Sequence, residues 1–197
     1  MRYLFISFLL LISIGGFAQN LDVRILDRIN SPNNLPSDKF YKFMSNTNTE
    51  VNIAVPVGLA IAGFVQNDKK MIRSSGVIAA STILNLGLTM GLKYTINRQR
   101  PYMAYPGLIF NKVDAKDPSF PSGHTSSAFA TATSLSLAYP KWYVIVPSYA
   151  WASTVAYSRM HLGVHYPTDI LGGIIVGVLT SYITYKADIW LYGHNLK

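Results

Sequence analysis

The chain has 197 residues, enough for one domain and short for two, and half of them are hydrophobic while only 13% are charged. So few charges exclude a disordered tail, a coiled coil or an ordinary cytosolic enzyme, and the absence of cysteine excludes disulfides, thiolate metal sites and cysteine nucleophiles. The formal charge of +8 suggests nucleic acid in a soluble protein, but in an apolar chain basic residues mark cytoplasmic loops and anionic headgroups, so no nucleic-acid partner is expected.

The N-terminus, MRYLFISFLLLISIGGFAQN, has a basic start at Arg2, an apolar run and the small residues Gly16 and Ala18. This layout predicts a signal peptide over residues 1–18, or an uncleaved anchor; either way the following segment is exported. Residues 19–50 are polar, with cations and carboxylates in balance. Within them LDVRILDRIN predicts a short amphipathic helix, lying on the membrane or packed on the domain.

Residues 51–197 form the remaining domain. Uncharged stretches run from Val51 to Gln66, Ser74 to Leu92, Thr125 to Tyr139, Trp142 to Tyr157 and Ile170 to Tyr185. A soluble bundle would place charges on the outer faces of such helices, so their outer faces are expected to meet lipid. Gly87 with Gly91, and Gly173 with Gly177, have the spacing that lets helices approach closely. If the post-signal segment is outside, Lys69, Lys70, Arg73, Lys141 and the C-terminal lysines are cytoplasmic, as positive-inside topology requires. Lys93, Arg98 and Arg100 then lie on the outer side, where the topology rule gives no reason for positive charge. Tyrosines near the span ends, Tyr102, Tyr143 and Tyr166 among them, predict an interfacial belt.

Three polar clusters stand at helix ends on that outer side: KYTINRQRP with Lys93 and Arg100, PSGH with Ser122, Gly123 and His124, and SRMHLGVHYPTD with Arg159, His165 and Asp169. Three cations around two histidines suit a phosphate or another tetrahedral oxyanion; arginine grips phosphate oxygens with a planar fork and lysine supplies a point charge. PSGH at a helix start adds backbone N–H groups and the positive helix end. Asp169, four residues after His165, can hold one ring nitrogen protonated and leave the other as a nucleophile. His124 would serve as general acid and then base. The spacing His161, His165, Asp169 also fits a metal site, but Gly163 and Pro167 interrupt a helix through all three and the nearby arginines repel a cation, so no metal is expected. His161 is expected in a loop near the entrance, and Arg98 either at headgroups or on the surface.

These residues resemble, spacing for spacing, the three signature motifs of the type 2 phosphatidic acid phosphatase (PAP2) superfamily, K-x6-RP, PSGH and SR-x5-H-x3-D. The resemblance spans Lys93 to Asp169. It implies an all-α, membrane-embedded helical bundle of the PAP2, acid phosphatase and vanadium haloperoxidase type, requiring no cofactor. It also implies a phosphohistidine on His165, oriented by Asp169, with His124 as proton donor. Lys93, Arg100, Arg159, Ser122 and the Gly123 backbone would hold the phosphoryl oxygens.

The expected activity is hydrolysis of a lipid phosphate or diphosphate: undecaprenyl diphosphate, phosphatidate, phosphatidylglycerophosphate or a lipid A phosphate. Its place would be a bacterial-type inner membrane, with the site facing the periplasm or the outside, membrane lipids as surroundings and no obligatory protein partner. A soluble exported acid phosphatase is the alternative, and a non-hydrolytic lipid-phosphate binding or transport protein a further one.

Overall fold

Residues 21–29 form a first helix, α1, whose Leu26 is fully buried against Ile109 and Tyr166. It is thus packed on the domain rather than laid on a membrane surface. After it come α2 (Ser37–Gln66), α3 (Lys69–Ile96), the single turn α4 (Pro101–Ala104), α5 (Gly123–Ala138), α6 (Trp142–His161) and α7 (Pro167–Tyr192). The structure, a computed structural model, describes residues 21–32 and 35–193. The signal-peptide reading of residues 1–18 lies outside the described residues.

Local chemistry sets the helix ends. Asn67 and Asn97 adopt the left-handed conformation that closes α2 and α3, with φ of 53° and 48°. Asp68 caps α3 by accepting from the Met71 N–H at 3.0 Å. Pro167, with no N–H to lose, opens α7. Gly163 makes the turn between α6 and α7 at φ +75°, where a Cβ would stand 2.2 Å from the Phe110 carbonyl oxygen.

α5 is the axis of the bundle, packed by α7, α6, α3 and α2. Its sequence, GHTSSAFATATSLSLA, is almost entirely small, which lets neighbouring backbones come close. Gly173 and Gly177 of α7 face it directly: a Cβ on Gly177 would lie 2.3 Å from the Ser126 carbonyl oxygen. Gly87 and Gly91, of identical spacing, face open space. Hydroxyl and amide pairs add polar glue between helices, among them Ser81 with Ser181, Thr89 with Ser126 and Thr131 with Asn52.

Three described helical stretches are long and apolar enough to cross a bilayer: Ser37–Gln66, Lys69–Ala104 and Pro167–Tyr192. Only 22%, 28% and 33% of their apolar windows is buried within the protein. Ile53, Ile61, Phe64, Ile83, Leu171 and Ile175 project outward from them. An outer surface so apolar is covered by lipid, so the chain is a multi-pass membrane protein. α5, at 16 residues, is shorter than a spanning helix because it is sheathed by the others. Of the expected tyrosine belt, Tyr94 and Tyr143 are exposed, whereas Tyr166 is buried and Tyr102 donates inward to the Ala115 carbonyl.

The antiparallel order brings the C-terminal ends of α3 and α6 and the N-terminal ends of α2, α5 and α7 to one end of the bundle. Lys69, Lys70, Lys141 and Lys186 belong to the opposite end, where Arg73 ties α3 to Asp188 of α7 at 2.9 Å.

Candidate active site

His165 lies in the turn before α7, buried, between a cation and a carboxylate. Its Nε2 faces Arg100 Nη1 at 3.3 Å, and its Nδ1 lies 3.5 Å from Asp169 Oδ2 and 3.5 Å from Ser119 Oγ. Complete burial pushes its pKa down to about 4; Asp169 opposes the shift, and Arg100 and Arg159 reinforce it. The imidazole is therefore neutral at physiological pH, with an available lone pair.

Asp169 sits in the first turn of α7 and is fully buried. Its Oδ2 accepts from Ser119 Oγ at 2.5 Å and from the Tyr166 N–H at 2.9 Å, while Oδ1 accepts from Arg98 Nη1 at 2.7 Å. Arg98 also donates to Asp22 Oδ2 at 2.9 Å and to Thr168 Oγ1 at 2.7 Å, and its guanidinium lies 3.9 Å over the Tyr166 ring. Its position is thus neither at the headgroups nor idle on the surface: it compensates a buried carboxylate that would otherwise be costly.

Lys93 ends α3 and Arg100 follows it in the α3–α4 connection; both are buried. Arg100 donates through Nη1 to the Val164 carbonyl at 2.8 Å and through Nε to the Asp117 carbonyl at 2.7 Å. Asp117 bridges the two cations, one carboxylate oxygen 2.8 Å from Lys93 Nζ and the other 2.7 Å from Arg100 Nη2. Burial alone would raise the Asp117 pKa, but Lys93 and Arg100 outweigh it and hold it at about 2.

Arg159, near the end of α6, donates to Ser45 Oγ of α2. Its buried Nε has no hydrogen-bond partner among the described residues. His124, in the first turn of α5, is partly exposed and lies within electrostatic range of Arg159, His165, Asp117 and Arg100. The Ser122 hydroxyl caps α5, accepting from the Thr125 N–H at 3.4 Å and the Thr125 hydroxyl at 2.9 Å, so only its proton remains to offer a ligand. Gly123 stands against Lys93, whose Cε would be 3.8 Å from a Cβ placed there. All eight residues singled out from the three motifs thus converge at one end of the bundle.

His161 is elsewhere. It ends α6 as a buried residue with Nε2 2.6 Å from Asp38 Oδ1, its ring 4.3 Å from that of Tyr41. It is not the loop residue at an entrance that the spacing suggested. Lys112 meets the same Asp38 carboxylate at 2.9 Å, and Asn30 donates to the Phe110 and His161 carbonyls while accepting from the Phe110 N–H. These contacts strap the 105–118 loop to α1, α2 and the end of α6.

Beside the site, a cavity of about 340 Å³ runs between α2, α3 and α5, from Lys93, Asp117 and Gly123 past Asn85 to Ile53 and Leu86. It joins the cations to the lipid-facing region.

An all-α membrane bundle that gathers three cations, two histidines and a supporting carboxylate at one end defines a membrane enzyme acting on an anion. The PAP2 superfamily model matches residues 75–191, more than half of the chain, and the chain belongs to that superfamily as a phosphatase. It is 27% identical to the undecaprenyl-diphosphatase of Sulfolobus acidocaldarius over 94% of this chain and 88% of that protein. It is 31% identical to the lipid A 1-phosphatase of Porphyromonas gingivalis over 71% of this chain, but that match spans only 31% of the relative. The crystal structure of Aquifex aeolicus LpxE is similar at a TM-score of 0.70 and 26% identity, covering 84% of this chain and 95% of that one. The transmembrane PAP2-type phosphatidylglycerolphosphate phosphatase from Bacillus subtilis shares the fold at a TM-score of 0.73 and 22% identity, over 98% of both chains.

Proposed function

We propose that the protein hydrolyses a lipid phosphate or diphosphate through a phosphohistidine on His165, at the outer face of a bacterial-type inner membrane. The observation that carries this reading is the neutral His165 imidazole, set between Arg100 at Nε2 and Asp169 at Nδ1. Nε2 attacks phosphorus, and the bond from phosphorus to the leaving oxygen breaks. In the empty site burial, Arg159 and His165 hold the His124 pKa down at about 3. The negative charge of the arriving phosphate offsets these effects, so His124 takes up a proton with the substrate. It gives that proton to the leaving oxygen, then takes one from the water that attacks the phosphohistidine, releasing inorganic phosphate and restoring His165. Lys93, Arg100 and the unpaired Nε of Arg159 meet the phosphoryl oxygens as charge develops. The Ser122 proton and the first N–H groups of α5 add to this cradle.

The relatives' names support a lipid substrate carrying phosphate on a polyprenol or on lipid A, and the cavity toward Ile53 and Leu86 suits its apolar part. The outward apolar faces of α2, α3 and α7 count against the soluble acid phosphatase alternative. Lys69, Lys70, Lys141 and Lys186 at the opposite end support an orientation of the site toward the outside.

The test is phosphate release from purified undecaprenyl diphosphate, phosphatidate, phosphatidylglycerophosphate and lipid A in detergent, with His165→Ala alongside. Wild type is expected to release phosphate and to trap label from 32P-substrate in an acid-labile, base-stable adduct. His165→Ala is expected to lose both while still binding inorganic phosphate. Turnover retained by His165→Ala excludes the nucleophile.

A further inference from the structure

In the structure two of the three motif cations, Lys93 and Arg100, are already paired with a carboxylate. Asp117 presents one carboxylate oxygen to Lys93 and the other to Arg100, much as two oxygens of a phosphoryl group would meet them. The neighbouring backbone reinforces this: the Asp117 carbonyl accepts from Arg100 Nε, and the Pro118 carbonyl accepts from Lys93 Nζ. The remaining side of the Arg100 fork is held by the Val164 carbonyl and His165. A substrate phosphate that engages Lys93 and Arg100 together therefore meets the Asp117 carboxylate in its place.

The three groups differ in freedom. Lys93 and Arg100 are each 3% exposed, whereas the Asp117 side chain is 44% exposed, on a loop between Ala115 and the start of the PSGH turn. Asp117 can turn toward solvent; the cations cannot. Its departure alone would leave two buried cations unpaired, which is costly. Arrival of another anion removes that cost, so the carboxylate leaves by exchange rather than by spontaneous opening.

We infer that Asp117 is a built-in competitor for the phosphoryl seat, holding Lys93 and Arg100 in the empty enzyme and giving way to the substrate phosphate. A tethered competitor acts at high effective concentration. It weakens binding of every phosphate equally, so a small anion with no other contact suffers most in practice. A lipid phosphate recovers affinity through its apolar part; inorganic phosphate does not. Asp117 thereby leaves the ratio of the two affinities unchanged but lowers occupancy of the site by free phosphate, which assists departure of the product.

The inference rests on Lys93 and Arg100 being phosphate ligands. Its test is binding of inorganic phosphate to the purified full-length protein in detergent, followed by 31P NMR and as inhibition of lipid phosphate turnover. Asp117→Asn keeps the shape and removes the charge, and is expected to bind phosphate about tenfold or more tightly, the scale of one lost like-charge contact. Asp114→Asn, which removes an exposed carboxylate paired only with Lys116 on the same loop, is expected to change nothing.

Asp117→Cys, in a chain with no other cysteine, lets the carboxylate be put back after folding and covers failure of Asp117→Asn to fold. It should bind phosphate tightly until iodoacetate restores a carboxylate, and weakly afterwards. Equal or weaker binding by the Asp117 variants, no binding by any form, or the same gain from Asp114→Asn overturns the inference. Failure of the lipid phosphatase reading shows differently, as absence of phosphate release from every lipid in wild type.

Discussion

At the scale of single residues, the site shows how burial sets chemistry. His165 would bind a proton near pH 6.5 in the unfolded chain, but its native pKa is about 4. The unfolded state therefore takes up a proton between these values while the native state does not. This contribution to stability is fully present above pH 6.5 and is lost as pH falls through 6.5 toward 4. Two measurements follow. Melting temperature in detergent should fall as pH is lowered across that window, and less so in His165→Gln. If His165 is the nucleophile, the acid limb of kcat/KM should lie near pH 4, because its imidazole is still unprotonated at pH 6; a limb at pH 6 to 7 beyond the substrate's own ionisation would show an imidazole with ordinary solvation.

The same scale separates what the sequence disclosed from what it concealed. Lys93, Arg100, Arg159, His165 and Asp169 were legible because each lies at or beside a helix end, with short fixed spacings inside one motif. Their partners were not. Asp22 meets Arg98 across 76 positions, and Ser45 meets Arg159 across 114. Such pairs obey no periodicity, and in the sequence Asp22 and Asp38 are simply acidic residues of a charge-balanced segment. Asp117 carried one weak hint: it is a carboxylate four positions before Pro121, in a loop that follows three cations.

At the scale of elements, identical patterns have unequal consequences. Both small-residue pairs read alike along the chain, yet only Gly173 and Gly177 lie in a helix–helix contact. Gly177→Ala would drive a Cβ into the Ser126 carbonyl and the Ala130 amide, which α5 can relieve only by moving away. The expected cost is about 1–3 kcal/mol. Because α5 carries Ser122, Gly123 and His124 at its start, activity should fall along with stability. Gly87→Ala meets nothing within 4 Å and removes a flexible residue from a helix interior, so it should be neutral or stabilising by up to about 1 kcal/mol. Thermal melts of the two variants in one detergent decide this, and equal destabilisation would mean that α3 has a partner on that face. The helix count was largely legible from uncharged runs, but the start of α2 at Ser37 was not. Residues 37–50 mix Phe40, Tyr41, Phe43 and Met44 with charged and polar residues and so form no uncharged run; Asp38, Ser45 and Asn48 tie this helical start to α6, the loop and α5.

At the scale of the whole molecule, charge and apolar surface divide the protein into two ends and a girdle. Of the eight net positive charges, five fit the positive-inside pattern, and Lys93, Arg98 and Arg100 stand at the end that holds the proposed site. The polar segment before α2 and the first turns of α2 serve the same end, since Asp22, Asn30, Asp38 and Ser45 each touch the site or the loop beside it.

The length of α2 fixes where that end stands. Ser45, which holds Arg159, is 21 residues before Gln66 at the far end, and an α-helix rises about 1.5 Å per residue, so the phosphate cradle lies about 32 Å from the opposite face. That matches the roughly 30 Å hydrocarbon thickness of an ordinary bilayer. On the proposed reading the bundle would act as a gauge of depth, reaching phosphates held at the plane where acyl chains meet headgroups without lifting the lipid out. Reconstituted in phosphatidylcholine vesicles of graded chain length, it should turn over fastest near that thickness and lose activity in thicker membranes, where the cradle sinks below the phosphates it must meet. A rate independent of chain length would place the cradle clear of the bilayer.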